Sequence, residues 1–425
     1  MSEEFLHFIW KYRLFSQRNL STIDGETLNI LSPGTYTGDA GPDFTNARIR
    51  IGETLWVGNV EIHIFSSDWD KHRHALDKAY NNVILHVVYE HDREVRRNDR
   101  TCPPTLAIKD CIKPGLESRY LALIENASWI SCEKQIGMVD QVYIQNALSR
   151  SLIARLEEKS EAIMKLVGEF KGSWDDAFYI MLARSFGFKV NALPFELLAR
   201  SLPQKILARH KDNPLQIEAL LFGQAGFLEQ QAADDYIAAL SREYRFLQKK
   251  YGLHPVEAYV WKFLRLRPQN FPTLRIAQFA ALVNKSEHLF SRVLEMNDNR
   301  AIAKLFTELP VNPYWKTHYQ PGKAVVSVGC QPGKASVNGI LMNAVVTMLF
   351  AYGRHAGRTE LEDSAIGLLE SISPETNQVV RRFKAIGVSP KSAADSQALL
   401  QLKKSWCDKK NCLLCTVGSK IVNFE

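Results

Sequence analysis

Nowhere in the 425 residues does an apolar run approach the roughly 20 residues that span a bilayer. The first residues, MSEEFLHFIWKYRLF, carry acids where a secretion signal carries basic groups ahead of an apolar stretch. The chain is therefore expected in the cytoplasm, with no membrane partner. Cysteine is scarce: seven residues, an odd number and unevenly spread, do not make a disulfide framework and leave reduced thiols or a metal site. No fixed-period repeat and no low-complexity tract is present, which disfavours a helical solenoid. A strong charge imbalance is also lacking, since the formal net charge is +7. Most of the excess lies from Ser371 onward, where nine Lys/Arg face four Asp/Glu. Such a tail is compatible with a nucleic-acid partner and equally with a solvated basic face.

What is present is ordinary globular composition, 46% hydrophobic and 23% charged, enough for two or three cores. Phe5, Ile9, Trp10, Tyr12 and Leu14 predict an amphipathic helix over 3–17. The period then changes. Thr27–Ser32 is a short apolar run, Asp43–Ile51 alternates as a strand, Gly52-Glu53-Thr54 makes a turn, and Leu55–Phe65 is a second strand. Asp68 is placed to cap a helix over 69–80, VILHVVYE (83–90) reads as a buried strand, and a short strand follows near 104–108. From Val139 onward the pattern is almost wholly helical, with segments near 140–169, 174–186, 213–223, 232–250, 276–306, 337–353 and 376–385. The expectation is an α+β chain: an α/β domain over 1–115, a helical domain over 116–310, and a helical C-terminal region over 311–425 with a cysteine-containing basic tail.

Glu61 and His63 share a strand face, because side chains alternate with period two. An odd-length turn would set Asp43 opposite Glu61 or His63, whereas an even one would turn it to the other face. Gly52 favours a three-residue loop with a bulge. Two carboxylates and an imidazole converging on one patch repel one another without a cation, which makes Asp43, Glu61 and His63 candidate ligands of a divalent metal and candidate catalytic groups. The plainer alternative is a turn-capping Asp43 beside an exposed polar strand face.

The run GPDF…NVEIH, in that order of elements, resembles the PD-(D/E)XK nuclease superfamily, which carries an Asp on one strand and an acid-x-Lys on the next. The resemblance implies a restriction-endonuclease-like core, Mg²⁺ or Mn²⁺ as cofactor, and hydrolysis or binding of nucleic acid. His63 stands where that family has lysine, with Lys71 or Lys78 as substitutes from the following helix. A catalytically degenerate nucleic-acid-binding or scaffold protein is the alternative. The phrases SPGTYTGDAGPDF, GNVEIHIFSSDW, YNNVILHVVYEHD, EALLFGQAGFL and RPQNFPTLRIAQ are similar to an uncharacterised bacterial family known only as a domain of unknown function, a likeness that spans nearly all the chain and brings no substrate.

His72, His74, His86 and His91 cluster in sequence, but a cupin-type site needs more strands than are seen here. His86 reads as a satisfied strand histidine, and His72 as an outer partner of the proposed centre. Near the C-terminus Cys407, Cys412 and Cys415 form C-x4-C-x2-C, one ligand short of a zinc or iron–sulfur site, with Cys330 or His355 as candidate fourth ligands. Cys102, Cys111 and Cys132 lack ligand spacing and read as packing residues. Arg265, Arg267 and Arg275, in a basic and aromatic stretch ahead of a helix, either hold phosphate or pair internally.

Overall fold

The computed structural model describes residues 1–38, 41–229, 233–296 and 298–423. They form a mixed α+β protein, with an N-terminal curled sheet followed by a mostly helical region. The chain divides into two compact units. Residues 1–147, 385–388 and 402–425 make the first, and 148–384 with 389–401 the second. The boundary thus lies in a helix, Gln141–Glu169, rather than near residue 115, and the C-terminal tail joins the first unit instead of closing a third.

In the first unit, helix α1 (Glu3–Lys11) opens with Ser2 accepting a hydrogen bond from the Phe5 amide at 3.3 Å, and acids Glu3 and Glu4 favour its positive N-terminus. It is shorter than the expected 3–17, because Arg13 adopts a left-handed conformation that ends the turn. Its apolar face buries Phe5, Leu6, Phe8, Ile9 and Trp10. The sheet it packs on has the order β1 (Leu28–Ser32), β3 (Phe44–Ile51), β4 (Thr54–Phe65), β5 (Val83–Glu90), β6 (Thr105–Ala107), with the two-residue β2 (Thr35–Tyr36) paired to β3. β3 and β4 are antiparallel, while β4–β5 and β5–β6 are parallel. β5 is an interior strand, between β4 and β6, and its first six residues are all buried, which is why its sequence is almost continuously apolar rather than alternating. Gly58 of β4 is required by close approach: a Cβ there would lie 2.8 Å from the Asn82 carbonyl at the entry to β5.

The hairpin register decides the fate of Asp43. Ile51 pairs with Thr54, so the turn is the two residues Gly52-Glu53, an even loop where an odd one was expected. Carried through unchanged, that register would put Asp43 on the face opposite Glu61. A bulge between Phe44 and Ala47, with Asn46 at φ 56°, shifts the pairing by one, so that Phe44 lies across from Val60 and Asp43 continues opposite Glu61.

The segment after β4 departs most from expectation. In place of a helix over 69–80 there is a four-residue helix, α2 (Asp68–Lys71), then Arg73 at φ 64°, then single turns at His74–Leu76 and Lys78–Asn82. Asp68 lies inside α2 and accepts from the Phe65 amide at 2.9 Å rather than capping. The anchor is Trp69, fully buried with Tyr80, Val83 and Val95, its indole N–H donating to the Arg96 carbonyl at 3.0 Å. On an unbroken α-helix, residues 72 and 74 would point about 200° apart; the break at Arg73 removes that constraint.

The second unit is helical, including the expected segments at Trp174–Phe186, Pro214–Gln224, Asp235–Tyr251 and Gln378–Ala385. The span expected as one helix near 276–306 is three, Pro272–Lys285, Leu289–Glu295 and Asn299–Leu305, and the helices Thr359–Ser371 and Ala393–Leu402 were not anticipated. The stretch Lys334–Ala356 is long and apolar enough to cross a membrane by length and composition, but 72% of its most apolar window is buried inside the structure.

The bulge makes a direct prediction. Asn46→Val is expected to cost about 1–2 kcal/mol, the strain of a left-handed non-glycine residue, whereas Asn46→Gly should change stability by less than about 1 kcal/mol. Urea unfolding midpoints check this, and equal stability of the two variants would place the register's determinant elsewhere.

Candidate metal centre

Asp43 and Glu61 are locked to each other's strands. The Ile62 amide donates to Asp43 Oδ2 at 2.9 Å and the Asp43 amide donates to Glu61 Oε2 at 3.2 Å. Thr37 fixes the approach, its hydroxyl donating to the Pro42 and Asp43 carbonyls at 2.8 and 3.0 Å. Glu61 is 4% exposed, and its free oxygen, Oε1, faces histidines: His74 Nε2 lies at 3.0 Å and His63 Nε2 at 3.6 Å. His63 Nε2 is also 3.1 Å from His72 Nδ1. The ligand atoms of His63, His72 and His74 all lie within 4.8 Å of one another.

These separations carry chemical information. Around a tetrahedral cation with bonds of about 2.0–2.1 Å, neighbouring ligand atoms stand roughly 3.3–3.4 Å apart, and around an octahedral one roughly 3.0 Å. Contacts of 3.0, 3.1 and 3.6 Å are of that order, and they run as a chain from His74 through Glu61 and His63 to His72, of which the three histidines form the mutual group. The His74 nitrogen is close to Glu61 but has no hydrogen-bond partner, and so remains an orphaned buried polar atom. A lone pair aimed past its neighbour at a shared point accounts for both facts.

Around this core the packing orients the rings. His63 Nδ1 meets His86 Nε2 at 2.9 Å, so when Nε2 is the ligating atom Nδ1 carries the proton and donates it to the wholly buried His86. His86 Nε2 is therefore paired, with a histidine of the centre, while its buried Nδ1 has no hydrogen-bond partner, so the expectation of a satisfied strand histidine holds for one ring nitrogen only. His74 stacks on Tyr80 with ring centroids 3.8 Å apart, and Trp69 stands edge-on to His74 and tilted against His86 at 5.4 and 5.1 Å. His72 is the exposed member of the trio and opens the centre to solvent.

Burial sets the electrostatics. It pushes the Glu61 carboxyl up to about 8, reinforced by Asp43, and it pushes His63 down to about 2 and His86 to about 3, reinforced by neighbouring histidines. His74 is lowered for the same reason. Without a cation the centre is thus driven toward neutral acid and neutral imidazoles, the latter being the form that ligates metal.

Two further groups come from α1. His7 Nε2 lies 3.2 Å from Asp43 Oδ2, and Glu3, one turn earlier, feels His72, Asp43 and His7 and has its carboxyl raised chiefly by burial. Sequence reading passed over both. The signal was there as the i, i+4 spacing of Glu3 and His7 on a helix with a strongly apolar face. His74 enters the sequence reading only within a histidine cluster, set aside because a cupin-type site needs more strands than are seen here.

Other expected residues lie as follows. Lys71 pairs with Asp68 and Lys78 is exposed. Arg265 and Arg267 are exposed in the second unit. Arg275 is not a surface group: it is 3% exposed, donates to Gln278, Asn270 and Ser336 at 2.8, 2.6 and 2.8 Å, and covers the Phe188 ring at 4.6 Å. Its role is to hold three segments of the second unit together.

Residues 3–378 match a family model described as a protein of unknown function (DUF2851). Nothing among the curated proteins and nothing among the solved structures matches the chain.

Glu61 gives a pH test. Its carboxyl titrates near 8 when folded against 4.5 in the reference state, so between those values the folded chain keeps a proton that the unfolded chain has released. Stability of chelator-treated protein therefore falls through this group as pH rises from about 5 to 8. Thermal melting at both pH values should show Glu61→Gln gaining on the parent chain at pH 8 and matching it near pH 5; a constant difference would contradict the burial argument.

Proposed function

The chain belongs to the DUF2851 family, and from that starting point, which brings no activity with it, we propose that the Glu61–His63–His72–His74 centre is the metal site of a hydrolase that cleaves nucleic-acid phosphodiesters. The observation that carries the reading is the set of contacts at 3.0, 3.1 and 3.6 Å among one buried carboxylate oxygen and three imidazole nitrogens, beside a second carboxylate brought opposite by a strand bulge. An Asp at the start of one strand and an acid-x-His on its antiparallel partner also follow the order of the PD-(D/E)XK core that the sequence resembles.

Glu61, His63, His72 and His74 hold the cation in this reading. An imidazole-rich set suits Mn²⁺, Zn²⁺ or Fe²⁺ better than Mg²⁺, which prefers oxygen. A divalent cation there supplies activation of water and stabilises the charge that develops on phosphate. His63 has both ring nitrogens committed, which makes it a ligand rather than a base. The Asp43–His7 pair is the better candidate to accept the proton of the attacking water. The exposed side at His72 leaves the centre open to a polymer.

A second reading, binding without turnover, is favoured by one observation: Lys71 is spent on Asp68 and Lys78 is exposed, so neither helix lysine supplies the charge of the resembled family's lysine.

Purified protein with Mn²⁺ or Mg²⁺ and labelled DNA or RNA separates the two. Cleavage is expected, to be abolished by Asp43→Ala and by Glu61→Ala, with His86→Ala weakening metal affinity about 10–100-fold. Cleavage that survives both acid substitutions would sink the assignment, and salt-sensitive binding with no product would select the second reading.

A further inference from the structure

The C-terminal thiols raise a question independent of the histidine centre. Cys407, Cys412 and Cys415 have ligand-like spacing but are one donor short, and the two fourth ligands suggested by sequence, Cys330 and His355, both belong to the second unit, whereas the three belong to the first. The first unit provides another cysteine. Residues 124–132 are pinned against the tail: Lys410 Nζ donates to the Ile124 carbonyl at 2.6 Å, Lys403 Nζ stands 5.3 Å from the Trp129 ring, and the Ser131 hydroxyl is hydrogen-bonded to the Cys412 thiol. Cys132 follows Ser131 directly.

The result is one thiol cluster. Cys132 interacts electrostatically with Cys407, Cys412 and Cys415, Cys407 with Cys412 and Cys415, and Cys412 with Cys415, so the four thiols share one neighbourhood. None is in a disulfide. Burial, then the neighbouring thiols, pushes Cys132 up to about 12 and raises Cys407 and Cys412 as well. Four thiols gathered in one partly buried place, with Cys412 buried and the others half-buried, gain little as packing, because aliphatic side chains would fill the space without polar atoms. As thiolates around a metal they gain the whole binding free energy. Lys403 and Lys410 act on Cys407 and Cys412 in the direction that favours thiolate, offsetting part of the negative charge such a site accumulates.

The tail is shaped for this closure. Cys407 ends a π-helical turn (Lys403–Cys407), a local distortion common at functional sites. Lys410 at φ 54° then reverses the chain, and the Cys412 amide donates to the Lys410 carbonyl at 2.7 Å. Gly418 lets the last helix, Thr416–Val422, close over Cys412: a Cβ there would meet the Cys412 carbonyl oxygen at 2.3 Å.

We propose that Cys132, Cys407, Cys412 and Cys415 together ligate one thiophilic metal centre, a zinc ion or an iron–sulfur cluster, that ties the C-terminal tail to the N-terminal unit. Each ligand enters as a thiol and gives up its proton to solvent when the metal–sulfur bond forms, so binding is weaker in acid.

The full chain, purified without oxygen, is assayed for zinc, iron and acid-labile sulfide, and its thiols are counted with a thiol reagent before and after chelation or oxidative loss of the metal. One zinc per chain, or iron and sulfide in equal amounts with cluster absorbance, supports the site and identifies its occupant. Four further thiols should become reactive once that metal is removed. Cys132→Ser and Cys412→Ser should each lose more than half of it, and Cys102→Ser and Cys330→Ser should keep it. His74→Ala should also keep it, which separates this centre from the histidine one. Wild-type protein with neither zinc nor iron–sulfide at the thiols, or a Cys132→Ser protein with full content, overturns the proposal. The thiol count on the wild-type chain decides the matter even where a serine variant does not fold.

Discussion

A carboxylate that is 4% exposed in a sheet has to be neutralised, and most of the first unit can be understood from that requirement. Glu61 satisfies one oxygen with a backbone amide from the neighbouring strand and turns the other toward imidazoles. Proton uptake is one way to discharge it, and a divalent cation is the other. The first lets the carboxyl donate to His74 Nε2, 3.0 Å away, and the second gives several imidazole nitrogens one shared partner. Burial sets the cost of that charge: the apolar wall of Trp69 and Tyr80 excludes the water that would otherwise screen it.

The centre is assembled through two local irregularities. One is the bulge at Asn46, which moves Asp43 across the sheet, and the other is the left-handed Arg73, which breaks the segment carrying His72 and His74. Both place a non-glycine residue at positive φ, a strain that regular structure avoids and that clusters where geometry matters more than economy. Neither side chain is a ligand.

These irregularities also mark where sequence reasoning reached its limit. The strand at 83–90 was legible to the residue, because a buried interior strand announces itself by unbroken apolar character. The Glu61–His63 alignment followed from the period of two alone. The turn length was misjudged, and Asp43 nevertheless arrives opposite Glu61, since the bulge that compensates has no strong signature in the run Thr45-Asn46. Residues 69–80 read as a helix because Asp68 suits its N-cap; the competing pull of burying Trp69 and Tyr80 in one cluster is a tertiary effect that no local pattern encodes. For Arg275 the sequence left phosphate binding and internal pairing both open, and it could not choose because the partners Ser336 and Phe188 are too distant in sequence to be guessed. Cys132 was invisible for the same reason, lying 275 positions before Cys407 in the chain.

The first unit is discontinuous: residues 402–425 belong with 1–147, and Arg119 donates to the Val422 carbonyl at 2.9 Å. On the ribosome, the opening third of the polypeptide therefore emerges long before the segment that completes it. During that interval the surface awaiting helix Thr416–Val422 lacks its cover, so premature termination would release an N-terminal unit with an apolar flank exposed, a natural substrate for chaperones and proteases.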